Sequence, residues 1–372
     1  MKQRTFKLKE FAQDISVAVK DAQLSPLKRF VGLEHYDSNE PVITRFTDTS
    51  LLSSSVKEFS ENDILIARRN VYLRRAGIVF FSGLTSGDSI VLRIYNDCED
   101  RTGIPKDDAI RIIPFILNSN DFWAYANKHA DGMNSKRISK DMLYDYEFSL
   151  PPIEEQRILA DKLWAAYRLK EAYKKLLTAT QEMVKSQFIE MFGNPLSSVQ
   201  RYPLKNLGDC CELNPRRPSL DLEDTDKVSF VPMPSVSENG YLQDVTDEEY
   251  GKVKKGFTYF ENNDVLFAKI TPCMENGKGA IAQELTNGIG MGSTEFHVLR
   301  PVEGKSNSYW LLALTRMPIF RERASKNMSG TGGQKRVGAP FLDNFMVGLP
   351  PIEEQNRFER IYKQADKSKY LS

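Results

Sequence analysis

The side chains with the most chemical capacity in this chain are basic. Arg68-Arg69-Asn70-Val71-Tyr72-Leu73-Arg74-Arg75 follows an apolar run directly, so its polar members fall on a loop. Arginine presents a fork matched to the acceptors of a guanine edge and asparagine the donor and acceptor that adenine requires, so Arg68, Arg69, Asn70, Arg74 and Arg75, with Tyr72 among them, are of the types that read bases. Two glycine-bearing loops repeat a second theme. Asp131-Gly132-Met133-Asn134-Ser135-Lys136-Arg137 and Ser329-Gly330-Thr331-Gly332-Gly333-Gln334-Lys335-Arg336 both end in Lys-Arg. Backbone amides with Lys136, Arg137, Lys335 and Arg336 suit phosphates, while Asn134, Thr331 or Gln334 approaches a base. Lys269 and Lys278 complete the set on a loop after a second apolar run. For any one of these residues the competing reading is a solvated loop charge.

The sequence carries no motif for other chemistry. The proline pair in Leu150-Pro151-Pro152-Ile153-Glu154-Glu155-Gln156 lacks the polar residue that a methyltransferase motif places before it, and reads as a helix start. Gly330–Arg336 lacks the ending of a phosphate loop, and Gly288–Gly292 lacks the third glycine of a dinucleotide turn. Cys98, Cys210, Cys211 and Cys273 form no Cys-x-x-Cys pair, and His35, His129 and His297 lie far apart, so no metal site is expected. Adjacent Cys210 and Cys211 read as one buried and one half-buried thiol beside a strand. No catalytic residue and no cofactor is expected.

The elements that must position these loops come in two copies. The heptapeptide Leu-Pro-Pro-Ile-Glu-Glu-Gln returns at Leu349–Gln355, an offset of 199 residues. Asn263-Asp264-Val265-Leu266-Phe267-Ala268-Lys269 lies 201 residues after Asn62-Asp63-Ile64-Leu65-Ile66-Ala67-Arg68, and Lys335-Arg336-Val337 lies 199 after Lys136-Arg137-Ile138. Within the first block, Arg29–Leu33, Asp63–Ala67, Ile78–Phe81 and Ser89–Ile94 are short apolar runs expected as strands. Ala109–Lys128 has helical spacing and is expected to form one or two helices. After the first heptapeptide, Leu159, Leu163, Ala166, Lys170, Tyr173, Leu177, Thr180, Val184, Gln187 and Met191 follow a heptad seam, flanked by Trp164 and Phe188, up to the stop Gly193-Asn194-Pro195. The second helix repeats the start of this pattern through Phe358, Tyr362, Ala365 and Lys369.

Composition bounds the class. At 372 residues, 41% hydrophobic and 27% charged, with a net charge of +1, the chain is globular rather than disordered. No apolar run is long enough to span a bilayer and Met1-Lys2-Gln3-Arg4 leads into no signal core, so a cytoplasmic protein with no membrane partner is expected. Basic and acidic residues balance, 21 to 21 over residues 1–150 and 18 to 19 over 201–350. Binding to a polyanion therefore requires sorting of charge onto one face.

Two divergent blocks, each closed by Leu-Pro-Pro-Ile-Glu-Glu-Gln and joined by a helix ending Phe188-Ile189-Glu190-Met191-Phe192-Gly193-Asn194-Pro195, resemble the specificity subunit of type I restriction-modification systems. The resemblance implies an α+β fold of two repeated target recognition domains joined by long coiled-coil-like helices. It implies boundaries at 1–150 and 196–349 for the domains, and at 151–195 and 350–372 for the helical spacers. It implies a non-catalytic subunit in which each domain reads one half of a bipartite, asymmetric site on double-stranded DNA. Two methyltransferase subunits would dock on the antiparallel helices through Leu159, Leu163, Ala166, Tyr173, Leu177, Val184 and Phe188, with a restriction subunit completing the complex. The alternative is a truncated scaffold for methyltransferase subunits that no longer reads DNA. Because the second helix is short, the seam from Tyr173 to Met191 is expected to lack an intramolecular partner, and to be covered by a methyltransferase subunit or a second copy of this chain.

Overall fold

A computed structural model describes residues 3–51, 56–132, 135–194, 201–331 and 333–367. The helices of eight residues or more are α1 (Lys106–Ile116), α2 (Asn120–His129), α3 (Ile153–Phe192), α4 (Ser308–Arg316), α5 (Pro318–Lys326) and α6 (Ile352–Lys367). The chain divides into two compact units, residues 1–171 and 172–372, the division falling within α3.

The first unit builds on the strand Ile64–Ala67, which is buried along its whole length. Side chains alternate across a strand, so a wholly apolar run must have a core on each face. Ile64 and Ile66, with Ile90 and Leu92 of the paired strand Ser89–Ile94, pack on the helical side against Ile112 and Ile113 of α1 and Phe122 and Trp123 of α2. Leu65, Ala67 and Val91 point the other way, onto Val31, Phe59 and Val79. The first sheet runs Ala12–Asp14, Ser89–Ile94, Ile64–Ala67, Ala76–Ile78 and is antiparallel throughout. A second sheet runs Ala18–Val19, Val56–Phe59, Gly83–Ser86, Arg29–Val31, Thr47–Asp48, with one parallel pair. Ala109–Lys128 resolves into α1 and α2, separated by Ser119, whose hydroxyl accepts from the Phe122 amide and caps α2. The run Ile78–Phe81 corrects the expectation of a strand. The strand ends at Ile78, Val79 still exchanges backbone hydrogen bonds with Asn62 and Asp63, and Phe80 then leaves to lie against Trp164 of α3, ring centroids 6.0 Å apart.

The second unit repeats this plan. Its antiparallel sheet runs Cys211–Leu213, Phe296–Pro301, Val265–Ala268, Gly279–Ile281, and its mixed sheet runs Thr246–Glu249, Lys227–Val231, Ile289–Gly292, Thr258–Glu261. Val265 and Phe267 face α4 and α5, whereas Leu266 faces Val231 and Phe260. One ion pair with a buried carboxylate recurs. Arg93 grips Asp63 with Nε–Oδ1 and Nη2–Oδ2 distances of 2.7 Å, and Arg300 grips Asp264 at 2.8 and 2.7 Å. Cys210 and Cys211 are both fully buried, which corrects the expectation that one would be half exposed. Burial pushes their thiols up to about 11 and about 12.

Each heptapeptide is a strand end turning into a helix. Glu147–Leu150 pairs with Arg4–Lys7, and Met346–Gly348 with Leu204–Asn206, so the segment before each helix returns to the start of its own block. The closing glutamine then locks the turn. Gln156 Nε2 donates to the Pro151 carbonyl at 2.7 Å and Gln355 Nε2 to the Pro350 carbonyl at 2.9 Å, both glutamines buried. The last turn of α3 is closed by Gly193, at φ +78°, whose amide donates to the Ile189 carbonyl.

The distal part of α3 is not bare, which corrects the expectation for Tyr173–Met191. In the second unit, α6 is long enough to meet it: Phe358 packs edge-on against Phe188 and Phe192, centroids 5.5 Å apart in both cases, and Val184 and Met191 are partly buried in the same cluster. Phe358, early in α6, meets the end of α3, while Tyr362 and Ala365 line a cavity with Thr180, Gln181 and Val184, so the two helices run antiparallel. Sixteen residues give about four turns, enough to seat two aromatic layers. What stays exposed is a neighbouring stripe of α3, Leu176 and Met183 in the second unit and Ile158 and Leu169 in the first.

Candidate nucleic-acid interface

The two basic clusters of the first block, about 65 residues apart in sequence, meet in the fold. After the strand Ile64–Ala67, the Arg68 amide donates to the Asp88 carbonyl and the Arg68 carbonyl accepts from the Ile138 amide, so Arg68 is held between two neighbouring segments. Arg69 and Arg137 form an antiparallel bridge, and the Ser135 hydroxyl donates to Asn70 Oδ1 at 3.1 Å. Asn70 and Arg74, at φ +52° and +51°, bracket a single helical turn, Val71–Leu73. Val71 is buried beneath it and Tyr72 stands out in solvent. The left-handed conformation suits asparagine far better than arginine, so the turn at Arg74 is held by its surroundings. Among these is the Asn39 amide, which donates to the Arg74 carbonyl.

Charge on this patch is partly spent within the molecule. Arg69 pairs with Asp88 at 3.1 Å, and Arg137 approaches the same carboxylate at 3.9 Å. Arg74 donates to Asn120 Oδ1 at 2.9 Å. Arg75 donates to the carbonyls of Leu33 and Arg69, and burial pushes it below its ordinary value, so it braces the loop. Among the described residues no carboxylate pairs with Arg68 or Lys136. Asn134 lies outside the described residues.

The second unit presents the same frame with other side chains. The Lys269 amide donates to the Glu295 carbonyl and the Val337 amide to the Lys269 carbonyl, as Asp88 and Ile138 do around Arg68. Ile270 bridges Arg336 where Arg69 bridges Arg137. Arg336 is held by Glu295 through Nε–Oε2 at 2.9 Å and Nη2–Oε1 at 2.8 Å, and that hydrogen-bonded pairing draws the carboxyl below its usual range. The hairpin Met328–Ser329/Arg336–Val337 carries Thr331, Gln334 and Lys335 exposed near its tip. Lys278 points away, its ammonium 3.4 Å from the Met233 carbonyl. The carboxylates Asp88 and Glu295, which hold arginines of the candidate site, are the members that sequence reasoning missed. Each sits in the turn before its block's Arg93 or Arg300 strand, so aligning the two turns would have paired them.

On the helices, Leu159, Leu163 and Ala166 line an open apolar groove of about 540 Å³ in the first unit, with Ile112, Phe115 and Ile116 opposite. Tyr173 and Leu177 are half-buried, whereas Val184 and Phe188 are engaged by the second unit. No group of three metal-ligating side chains occurs among the described residues. No described helix is long and apolar enough to cross a membrane.

The family model of the type I restriction modification DNA specificity domain matches residues 202–370. The chain is a relative of type I specificity subunits. The specificity subunit of the type I restriction enzyme EcoEI of Escherichia coli is 38% identical over 154 residues, 41% of this chain and 25% of that protein. The EcoAI specificity subunit of the same organism is 41% identical over 148 residues, 39% of this chain and 25% of that protein. The chain thus spans about a quarter of the length of these curated relatives. Among solved structures, the S subunit of a type I restriction-modification system from M. genitalium aligns over 99% of this chain and 90% of that one, at 13% identity and a TM-score of 0.56. At that identity the likeness is one of fold.

Proposed function

We propose that this relative of type I specificity subunits is a non-catalytic DNA-recognition subunit, in which each unit reads one half of a bipartite duplex site. The observation that carries the reading is the repeated presenting frame. In both units the same strand end, acidic turn and Lys-Arg loop are tied together, while the side chains presented differ, arginine-rich with Tyr72 in the first and Lys269, Thr331, Gln334 and Lys335 in the second. A constant frame with variable tips suits independent reading of two unlike half-sites. Lys136 and Lys335 act as phosphate contacts and Arg68 as the candidate base reader of the first unit, while Arg69, Arg137 and Arg336 are poised by carboxylates that exchange for phosphate.

The helices dock partner subunits. The unpaired Leu169, Leu176 and Met183 on α3, and the groove beside Leu159 and Leu163, are the apolar surfaces available to methyltransferase subunits, which with a restriction subunit carry the chemistry. The test is methylated-site sequencing in cells that make the chain with its methyltransferase partner. A single bipartite motif, lost when this chain is omitted, is the expected result. Methylation that is unaltered by Arg68→Ala and Lys335→Ala together would overturn the reading and leave a scaffold.

A further inference from the structure

A cavity of about 230 Å³ in the second unit lies apart from the reading loops, walled by the distal part of α3, the corner between α4 and α5, and α6. Two guanidinium groups, Arg316 and Arg321, line it, with Lys185 of α3 also on its wall. Their partners are neutral. Arg316 Nη2 donates to the Glu238 carbonyl at 2.7 Å and Arg321 Nη1 to the Glu275 carbonyl at 2.7 Å. Two carboxylates lie close, Glu238 on the cavity wall, which accepts from the Asn276 amide at 2.9 Å, and Glu275, which accepts from the Thr271 hydroxyl at 2.8 Å, but among the described residues neither forms a salt bridge with an arginine. The Nε of each arginine is buried and without a hydrogen-bond partner among the described residues.

The backbone makes room for this arrangement. Gly240 and Gly277 take φ values of +95° and +79°, and a Cβ on either would lie 2.6 Å from Arg316 Nη1 or 2.7 Å from Arg321 Nη1. A side chain at either position is strained by the left-handed backbone, and the arginine tip beside it would have to move. Burial and then the Arg316 guanidinium push Arg321 below its ordinary value, and the Glu238 carboxylate offsets them only in part. A folded protein rarely holds two such groups together, since half-buried cations need an anion or cost stability.

We propose that Arg316 and Arg321, with Lys185 beside them, form a binding site for a phosphomonoester group. The charge selects the ligand. One carboxylate satisfies one guanidinium fork, whereas a phosphomonoester carries about −1.5 to −2 at pH 7 and offers three acceptor oxygens, enough for two forks. Among the described residues Lys185 pairs only with exposed Glu182, at 3.5 Å, a pairing that an incoming dianion displaces. Because the cavity is walled by both helices, occupancy ties α3 and α6 to the corner that carries the arginines.

The test uses the full chain and inorganic phosphate, with acetate at matched ionic strength as control. Thermal unfolding should show a midpoint that rises saturably with phosphate and not with acetate. Arg321→Gln and Arg316→Gln should each weaken the apparent affinity about tenfold or more, and Arg321→Lys should fall between, since it keeps charge and loses the fork. If Arg316→Gln fails to fold, Arg321→Gln and Lys185→Ala carry the comparison. An equal response to acetate, or an undiminished response in the folded variants, overturns the proposal. So does phosphate that competes duplex DNA off the wild-type chain together with an equal loss of duplex affinity in Arg321→Gln, because the arginines would then be a DNA-backbone contact.

Discussion

Asp88 and Glu295 illustrate what a single residue contributes here. Each turns one cationic side chain from a freely solvated group into a positioned one, with the strand register deciding which arginine it meets. That register joins residues about 20 to 50 positions apart, which explains why the clamps were not legible in the sequence while the basic residues were. The cysteines give a residue-scale prediction. Cys98, Cys210 and Cys211 are buried, and burial raises all three thiols, so at pH 8 they are neutral as well as inaccessible. Thiol titration of the native chain at pH 8 should therefore consume about one equivalent promptly, at half-buried Cys273, and four after unfolding. Prompt reaction of Cys210 or Cys211 would contradict their packing.

At the scale of elements, the heptapeptide was legible as a helix start, and its proline pair and acidic first turn do that work. The role of its glutamine was not, because an amide folding back on a carbonyl five residues earlier leaves no periodic trace. The two copies differ in a way that can be measured. Gln156 makes one hydrogen bond, to Pro151, and its Oε1 is buried without a partner. Gln355 makes three: to the Pro350 and Lys305 carbonyls, and from the Asn307 amide. Gln355→Ala should cost roughly 2 to 4 kcal/mol in urea unfolding, since it strands two carbonyls and an amide, and Gln156→Ala about 1 kcal/mol. Equal losses would mean that the extra bonds do not form in solution.

The helix pair gives a second prediction at this scale. The long helix and its stop were legible from heptad spacing and Gly193. The sequence misjudged where the short second helix lands, because the antiparallel offset is set by how Phe188, Phe192 and Phe358 interlock. Phe188→Ala and Phe358→Ala should each cost about 3 to 5 kcal/mol. The double variant should lose less than the sum, since both deletions empty the same cluster. Strict additivity would place the two rings in separate environments.

For the molecule as a whole, duplication was legible from offsets of 199 to 201 residues, and the structure extends it to matching strand orders in both units. The scaffold repeats because both units need the same double-sided strand, with the same arginine on a buried aspartate beside it. The loops diverge because nothing in the core constrains their tips. Function at this scale should be divisible in the same way. In the assembled complex with methyltransferase subunits, Lys136→Ala and Lys335→Ala should each reduce the slope of log affinity against log salt by about one, whatever the sequence of the duplex. Arg68→Ala should instead cost on the order of 1 to 3 kcal/mol on the cognate duplex. Its methylated-site logo should lose information in one half-site and keep the other, because the second unit presents Lys269 in a frame of its own. Loss of information in both half-sites from Arg68→Ala alone would mean that the two units do not read independently.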